Sequence, residues 1–353
     1  MKMANNILRA HAKLFDQKEQ KPFISVIVAT RNEERYIGKI LDSLVNQTYP
    51  KDRFEVIVVD GVSEDMTLKI VEKYKDHLNL RVFKNEKIRS TYAFNRGIEK
   101  AKGDFFMIVS AHGVLCKNFI EKDINTFFRV HEKEPKLAGV GGTVINKPEN
   151  TFGKIVGLMY DSFFSGAKSC RYIRKPHFSD SVSSGVYDKK TVESNGKFDE
   201  DFIGAGNDAE LHLRLQRRGY KMFTNPKIVT YYFPRSSFRK FLKQTFNYGV
   251  ARGLMVRKGY HKIEWFNSAS FWFIPVSFLF YELFLFAFSG FSFTLAFVPF
   301  ILYWLINVSV SFNLLIKTKS VLCIILPVMY FMFHNVLGLA SLMGLVFGKK
   351  AFL

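Results

Sequence analysis

FISVIVATRNEERYIGKILDSLVNQTYP, residues 23–50, decides the fold. Its first eight residues are a short apolar, β-branched run that stops at Thr30, Arg31 and Asn32, the pattern of a strand buried on both faces. In EERYIGKILDSLVNQ, Ile37, Ile40, Leu41, Leu44 and Val45 recur at three- and four-residue spacing, which places them on one face of a helix that TYP closes. The same unit then repeats. EVIVVD (55–60) reads as a second strand and SEDMTLKIVEKY as a second helix, opened by a Ser63-x-Asp65 cap; RVFKNE, TYAFNRGIEKAKG and DFFMIVSA extend the alternation. Such a pattern predicts an α/β domain, a mostly parallel sheet flanked by helices, with ligands beyond the carboxyl ends of the strands. Asp60 and His112 both fall just past such an end. No Walker loop and no Gly-x-Gly-x-x-Gly occurs, so neither an ATPase nor a dinucleotide enzyme is favoured.

Outward from this domain, the chain changes character. The 353 residues carry a formal net charge of +20, yet residues 268–353 hold only Lys317, Lys319, Lys349, Lys350 and Glu282 as charged side chains. Those apolar runs are longer than any soluble core helix, and at about 20 residues per crossing they predict about three transmembrane helices over 268–348, two of them meeting near Ser289 and Gly290. The first 22 residues are polar and have no apolar segment of signal-peptide length, so the expectation is a cytoplasmic domain over 23–232 on a multi-pass protein of the cell membrane. Lys317 and Lys319 agree with that orientation; three crossings would leave Lys349 and Lys350 outside, unless one segment is re-entrant. Between the two parts, 233–267 mixes Arg235, Arg239, Lys240, Lys243, Arg252 and Arg257 with Phe238, Phe241, Phe246 and Trp265. Beside a membrane segment, that reads as a basic amphipathic interfacial stretch facing anionic lipid, not as a nucleic-acid surface, for which no reader motif is present. Cys116, Cys170 and Cys323 are too scattered for a disulfide framework or a metal site.

VIVATRNEERYIGKILDSLVNQTYP followed by VIVVDGVSED resembles the opening of the family 2 glycosyltransferases, which are inverting enzymes with a nucleotide-sugar-binding glycosyltransferase A-type fold. The resemblance implies that the turn from Ala29 to Glu33, with Thr30 and Glu33, contacts the nucleotide and that Asp60 holds the base. NRGIEKAKGD is similar to the family's lead-in to its metal motif, which brings Asn95 and Arg96 to the donor side. Counting on from Gly103 and Asp104, the family's Asp-x-Asp falls on Ser110-Ala111-His112. Asp-Ala-His is common in the succinoglycan-type exopolysaccharide branch, which this chain resembles most. His112 then stands where a metal ligand is expected and Ser110 where a carboxylate is missing. A divalent metal, manganese or magnesium, would bridge the leaving diphosphate. The rival is a cation-independent site with Lys87, Arg89 or Arg96 offsetting the charge.

An acceptor hydroxyl attacking an anomeric carbon must give its proton to a carboxylate. KFDEDFIGAGNDAELHLRLQRRGYKM (197–222) resembles the family's acidic stretch before a helix, with Asn207 where Glu is common and Asp208 on the catalytic Asp. With the upstream motifs the base reading of Asp208 is favoured over a plain helix cap, and Glu210 is the fallback base. SGVYDKK (184–190) is similar to a segment that shapes the acceptor pocket. Gln244, Asn247 and Tyr248 stand where processive relatives have Gln-x-x-Arg-Trp and fall on the acceptor or diphosphate side. The loop 144–183 has no clear period and reads as an acceptor flap or a surface loop. The expected function is transfer of one sugar from a nucleotide-sugar donor to a lipid-linked saccharide acceptor, for exopolysaccharide or cell-surface glycan. Ser110 and Asn207 leave open a catalytically silent subunit of a polysaccharide assembly. The tail alone would suggest a transporter, but it offers only Glu282 and His334 as ionisable groups for a path.

Overall fold

The computed structural model describes residues 21–165, 170–171, 173–203, 205–260, 287 and 293–352. Within these the chain forms two compact units. The first comprises residues up to Ile145 together with Ile173–Glu200 and Asp208–Tyr232; the second comprises Asn146–Tyr172, Asp201–Asn207 and Phe233 onward.

In the first unit, β1 (Ile24–Thr30), β2 (Phe54–Asp60), β3 (Leu80–Lys84) and β4 (Phe105–Ser110) pair in parallel in the order β3-β2-β1-β4. The helices between them are α1 (Ile37–Val45), α2 (Thr67–Glu72) and α3 (Ser90–Lys100). After α4 (Phe119–His131) the sheet turns antiparallel. Here β8 (Val186–Asp188) runs against β4 and β6 (Leu137–Asn146), and β9 (Lys221–Tyr232) runs against β5 (Gly113–Leu115) and β7 (His177–Ser179). The sheet is therefore mixed rather than mostly parallel, because the strands beyond Gly113 lack the strand-helix alternation that forces parallel pairing.

Burial explains why the early strands read as continuous apolar runs. Ile24, Val26 and Val28 face α1 and α4, while Ile27, Ile57 and Phe106 face α3 and α7 (Asn207–Arg217), so β1, β2 and β4 have no wet face. α6 (Lys189–Ser194) completes the second of these layers through Val192.

One expected cap is not formed. Ser63 does not cap α2: its hydroxyl donates to Asp60 and accepts from the Asn32 backbone N–H, while Asp65 Oδ1 accepts from Thr67 N. The two strand-end loops compete for Ser63 and win it.

The second unit holds a helix that the sequence reading left as a loop. α5 (Thr151–Tyr160) lies inside 144–183 and is capped by Asn150, whose side chain accepts from Gly153 N at 2.7 Å. The same unit contains α8 (Phe238–Arg257), α9 (Phe293–Thr318) and α10 (Leu326–Phe347). Two helices, over Phe300–Thr318 and Val321–Ala351, are long and apolar enough to cross a membrane. The first of the three expected crossings, with Glu282, Ser289 and Gly290, lies outside the described residues, as do residues 1–20, Gly204 and 261–267. Within the unit, α8 and α10 approach backbone to backbone. A Cβ on Gly249 would come within 2.6 Å of Ala340 Cβ, and one on Gly253 would overlap Ser341 O.

Candidate active site

The parallel register aligns the strand ends that matter. Thr30 pairs with Asp60 and Ala29 with Ser110, so β1, β2 and β4 finish at one edge. Asp60 is buried there, with Oδ2 accepting from Ser63 N at 2.9 Å and Oδ1 accepting from the Ser63 hydroxyl at 2.5 Å. The β1 and β2 loops are stitched together: Asn32 N donates to Ser63 Oγ, Glu64 N to Asn32 Oδ1, Glu33 N to Thr67 Oγ1 and Met66 N to Glu34 Oε2, all at 2.8–3.0 Å. Asn32 and the β-branched Val62 are held at φ 52° and 59°, left-handed conformations that persist only where the surroundings fix them. The Thr30 hydroxyl, buried at the same edge, has no hydrogen-bond partner among the described residues, and Ser110 is half-buried beside it.

His112 occupies the turn between β4 and β5. Its Nδ1 lies 3.2 Å from Glu33 Oε1, and its ring meets Tyr232 edge-on at 5.4 Å between centroids. Tyr232 arrives because β5 pairs with β9, placing it opposite Gly113; nothing in the sequence marks that pairing. Among the described residues no group of three His, Cys, Asp or Glu side chains could hold a metal. Two donors do converge. Glu33 and His112, a carboxylate beside an imidazole, are a donor pair that a divalent cation would accept.

Asn95 has a different occupation. Buried on α3, it donates from Nδ2 to Phe198 O at 2.9 Å and to Glu200 Oε1 at 3.2 Å, and accepts from Phe198 N at 2.9 Å. It braces residues 198–200. Arg96 beside it is exposed.

Asp208 is the second residue of α7 and is exposed, with Oδ1 accepting from Ala209 N at 2.9 Å. Glu210 is almost wholly buried and is gripped by Arg214 at both oxygens, 2.8 and 2.9 Å, while the same guanidinium donates to Asn195 O and Lys197 O. One turn beyond Asp208, on the same face, lies His212, a residue the sequence reading passed over. It is fully buried, with Nδ1 2.9 Å from Ser181 Oγ and Nε2 2.9 Å from the Tyr187 hydroxyl. Burial pushes His212 down to about 4, against the opposite pull of Asp208 and Glu210. Burial, with Asp208 and Asp123 nearby, raises the Tyr187 hydroxyl well above its usual range. A neutral polar pillar thus stands under the helix that presents Asp208. The four-residue spacing from Asp208 to His212 was its one signal in the sequence.

Gln244, Asn247 and Tyr248 belong to the second unit, on α8. Gln244 Nε2 donates to the Tyr248 hydroxyl at 3.3 Å, Asn247 is buried and Tyr248 is exposed. Arg252 lies one turn on from Tyr248 and is buried. Asn207, half-buried, closes the short segment of this unit that runs directly into Asp208.

The chain is similar to known glycosyltransferases in sequence and fold. The profile of glycosyl transferase family 2 matches residues 25–178, and that of glycosyl transferase family group 2 matches 124–342. The dolichyl N-acetyl-alpha-D-glucosaminyl phosphate 3-beta-D-2,3-diacetamido-2,3-dideoxy-beta-D-glucuronosyltransferase of Methanococcus voltae is 40% identical over 334 residues, 94% of this chain and 99% of that protein. The succinoglycan biosynthesis protein ExoA of Rhizobium meliloti is 23% identical over 235 residues, 64% of this chain and 68% of its own. Among solved structures, the mannosyltransferase PcManGT of Pyrobaculum calidifontis, in complex with GDP-Man and Mn2+, aligns over 98% of both chains with a TM-score of 0.62 at 18% identity.

Proposed function

Because this chain belongs to glycosyl transferase family 2, we propose that it is a membrane-anchored inverting transferase that moves one sugar from a nucleotide-sugar to a saccharide carried on a lipid phosphate. The observation that carries the donor half is the sheet edge, where the buried Asp60, the buried Thr30 hydroxyl and the Glu33–His112 pair converge. The acceptor half is supported by the Methanococcus voltae relative, whose name specifies a dolichyl-phosphate-linked N-acetylglucosamine and a β-linked product. A β-linkage formed from an α-linked nucleotide-sugar requires inversion. The weaker, shorter match to the succinoglycan protein supports the family alone, so the exopolysaccharide role gives way to a lipid-linked glycan.

In this reading Asp60 and Thr30 hold the nucleoside, and Asn95 fixes the 198–200 segment that leads toward the base. Asp208, exposed on the first turn of α7, takes the acceptor's proton as the acceptor oxygen attacks the anomeric carbon and the nucleoside diphosphate departs in a single displacement. Glu33 and His112 would hold a divalent cation, manganese or magnesium, whose charge offsets that building on the departing diphosphate. Arg96, Lys87 and Arg89 remain the cationic alternatives. The apolar helices α9 and α10 would anchor the chain, with the catalytic unit on the cytoplasmic face.

The test supplies the purified protein with a panel of UDP- and GDP-sugars and a polyprenyl-phosphate-linked N-acetylglucosamine. Acceptor-dependent release of one nucleoside diphosphate and a β-linked disaccharide-lipid are expected. Nucleotide binding without turnover on any acceptor would sink the reading and favour a catalytically silent subunit.

A further inference from the structure

α10 is long and apolar enough to cross a bilayer, but its neighbour is not. α8 lies along α10 in the same direction: Phe241 faces Phe333, Gly249 meets Ala340, Gly253 meets Ser341, and Arg257 donates to Leu345 O and Val346 O. The two helices therefore share one tilt. Between the exposed Lys243 and the exposed Arg257 stand thirteen residues, including Asn247 and Arg252. They make about 20 Å of helix, whereas the hydrocarbon core is about 30 Å thick. α8 cannot be drawn through it, and the part of α10 packed along it, from Phe333 to Val346, shares that limit.

Both ends of α10 are also held within this unit. Near its start, the Tyr330 hydroxyl donates to Met159 O of α5 at 3.2 Å. Past its end, Asp201 binds Lys349 at 2.7 Å and Lys258 at 2.8 Å, and Asp201 lies seven residues before Asp208 in the chain. The outward stripe of α10, Val328, Met332, Asn335, Leu339, Leu342 and Val346, follows the four-three spacing of a single helix face.

We infer that α10 does not cross the bilayer but lies in its surface beside α8, sunk to the acyl boundary of an acidic leaflet, with both ends on the side of residues 201–208. This rests on the membrane reading proposed above. The outward stripe is the apolar face, and Arg239, Lys240, Lys243 and Lys350, all exposed, supply the charge that complements anionic headgroups.

The experiment uses the full chain with Cys116, Cys170 and Cys323 replaced by Ala, reconstituted in sealed vesicles containing phosphatidylglycerol and checked for retained nucleoside diphosphate binding. Single cysteines at Val321→Cys, Lys350→Cys and Glu86→Cys are probed with a membrane-impermeant maleimide, and spin labels at Val328→Cys, Leu339→Cys and Val346→Cys report depth. The inference expects all three probes to react from the same side and the three labels to sit at one shallow depth. Reaction of Val321→Cys and Lys350→Cys from opposite sides, or a Leu339 label at the midplane, would overturn it while leaving the anchored transferase intact. Recovery of the protein free of vesicles would overturn both.

Discussion

Glu33 and His112 are 79 positions apart in the chain, yet their side chains meet at 3.2 Å across the ends of two paired strands. Whatever charge reaches this edge is seen by both.

Replacing His112 with Ala, or Glu33 with Gln, should lower kcat by about 10²–10³ if the pair holds a cation that stabilises the leaving diphosphate. Manganese stimulation of turnover should vanish with it. Calorimetry of nucleoside diphosphate binding with and without chelator checks this directly; wild-type binding indifferent to chelator would move the role to the basic residues.

Asp208→Asn should lower kcat by about 10²–10⁴, with donor binding unchanged, because the amide cannot accept the acceptor's proton. Steady-state rates alongside donor titration separate the two quantities. Loss of donor binding in the variant would make Asp208 a structural cap instead.

Glu210 should behave in the opposite way. Removing it by Glu210→Ala leaves the largely buried Arg214 without its carboxylate, and breaking a buried pair in this way costs about 3–5 kcal/mol. Thermal unfolding should register that loss, while the molecules that stay folded turn over at near the wild-type rate per site. A stable but inactive variant would return the base role to Glu210.

His212 predicts an acid limb in stability. Its value of about 4 lies below the ordinary 6.5, so the unfolded chain binds the extra proton between those pH values and stability falls as pH drops through that window. The loss reaches about 3 kcal/mol by pH 4. Denaturant midpoints between pH 7 and pH 4 for the wild type and for His212→Gln measure it, and the variant should show a flatter dependence.

The early strands and helices were legible because each is buried on both faces or on one stripe, and that burial leaves its period in the sequence. Thr30, Asp60 and Ser110 could be placed at one edge for the same reason, since parallel strands of equal length end together. α5 was not legible: it is an apolar segment interrupted by Gly153 and Gly157, buried on most sides, and so it has no polar face to set a period. Ser63 misled because a hydroxyl two residues from an acidic side chain looks like a cap, whereas its partners, Asp60 and Asn32, come from strand ends. Tyr232 and the Ser181–His212–Tyr187 contacts depend on antiparallel pairings formed late in the chain, which no local pattern announces.

The glycine contacts between α8 and α10 also set an order of events during synthesis. α8 is translated well before the helix whose backbone it must touch, and Gly249 and Gly253 offer no side chain with which to settle against a substitute. The second unit can mature only once α10 has been made, so a ribosome that stops short of Gly344 releases a product with this seam open. Emergence of α10 and closure of that seam become the same checkpoint, one that quality control could read at a single place.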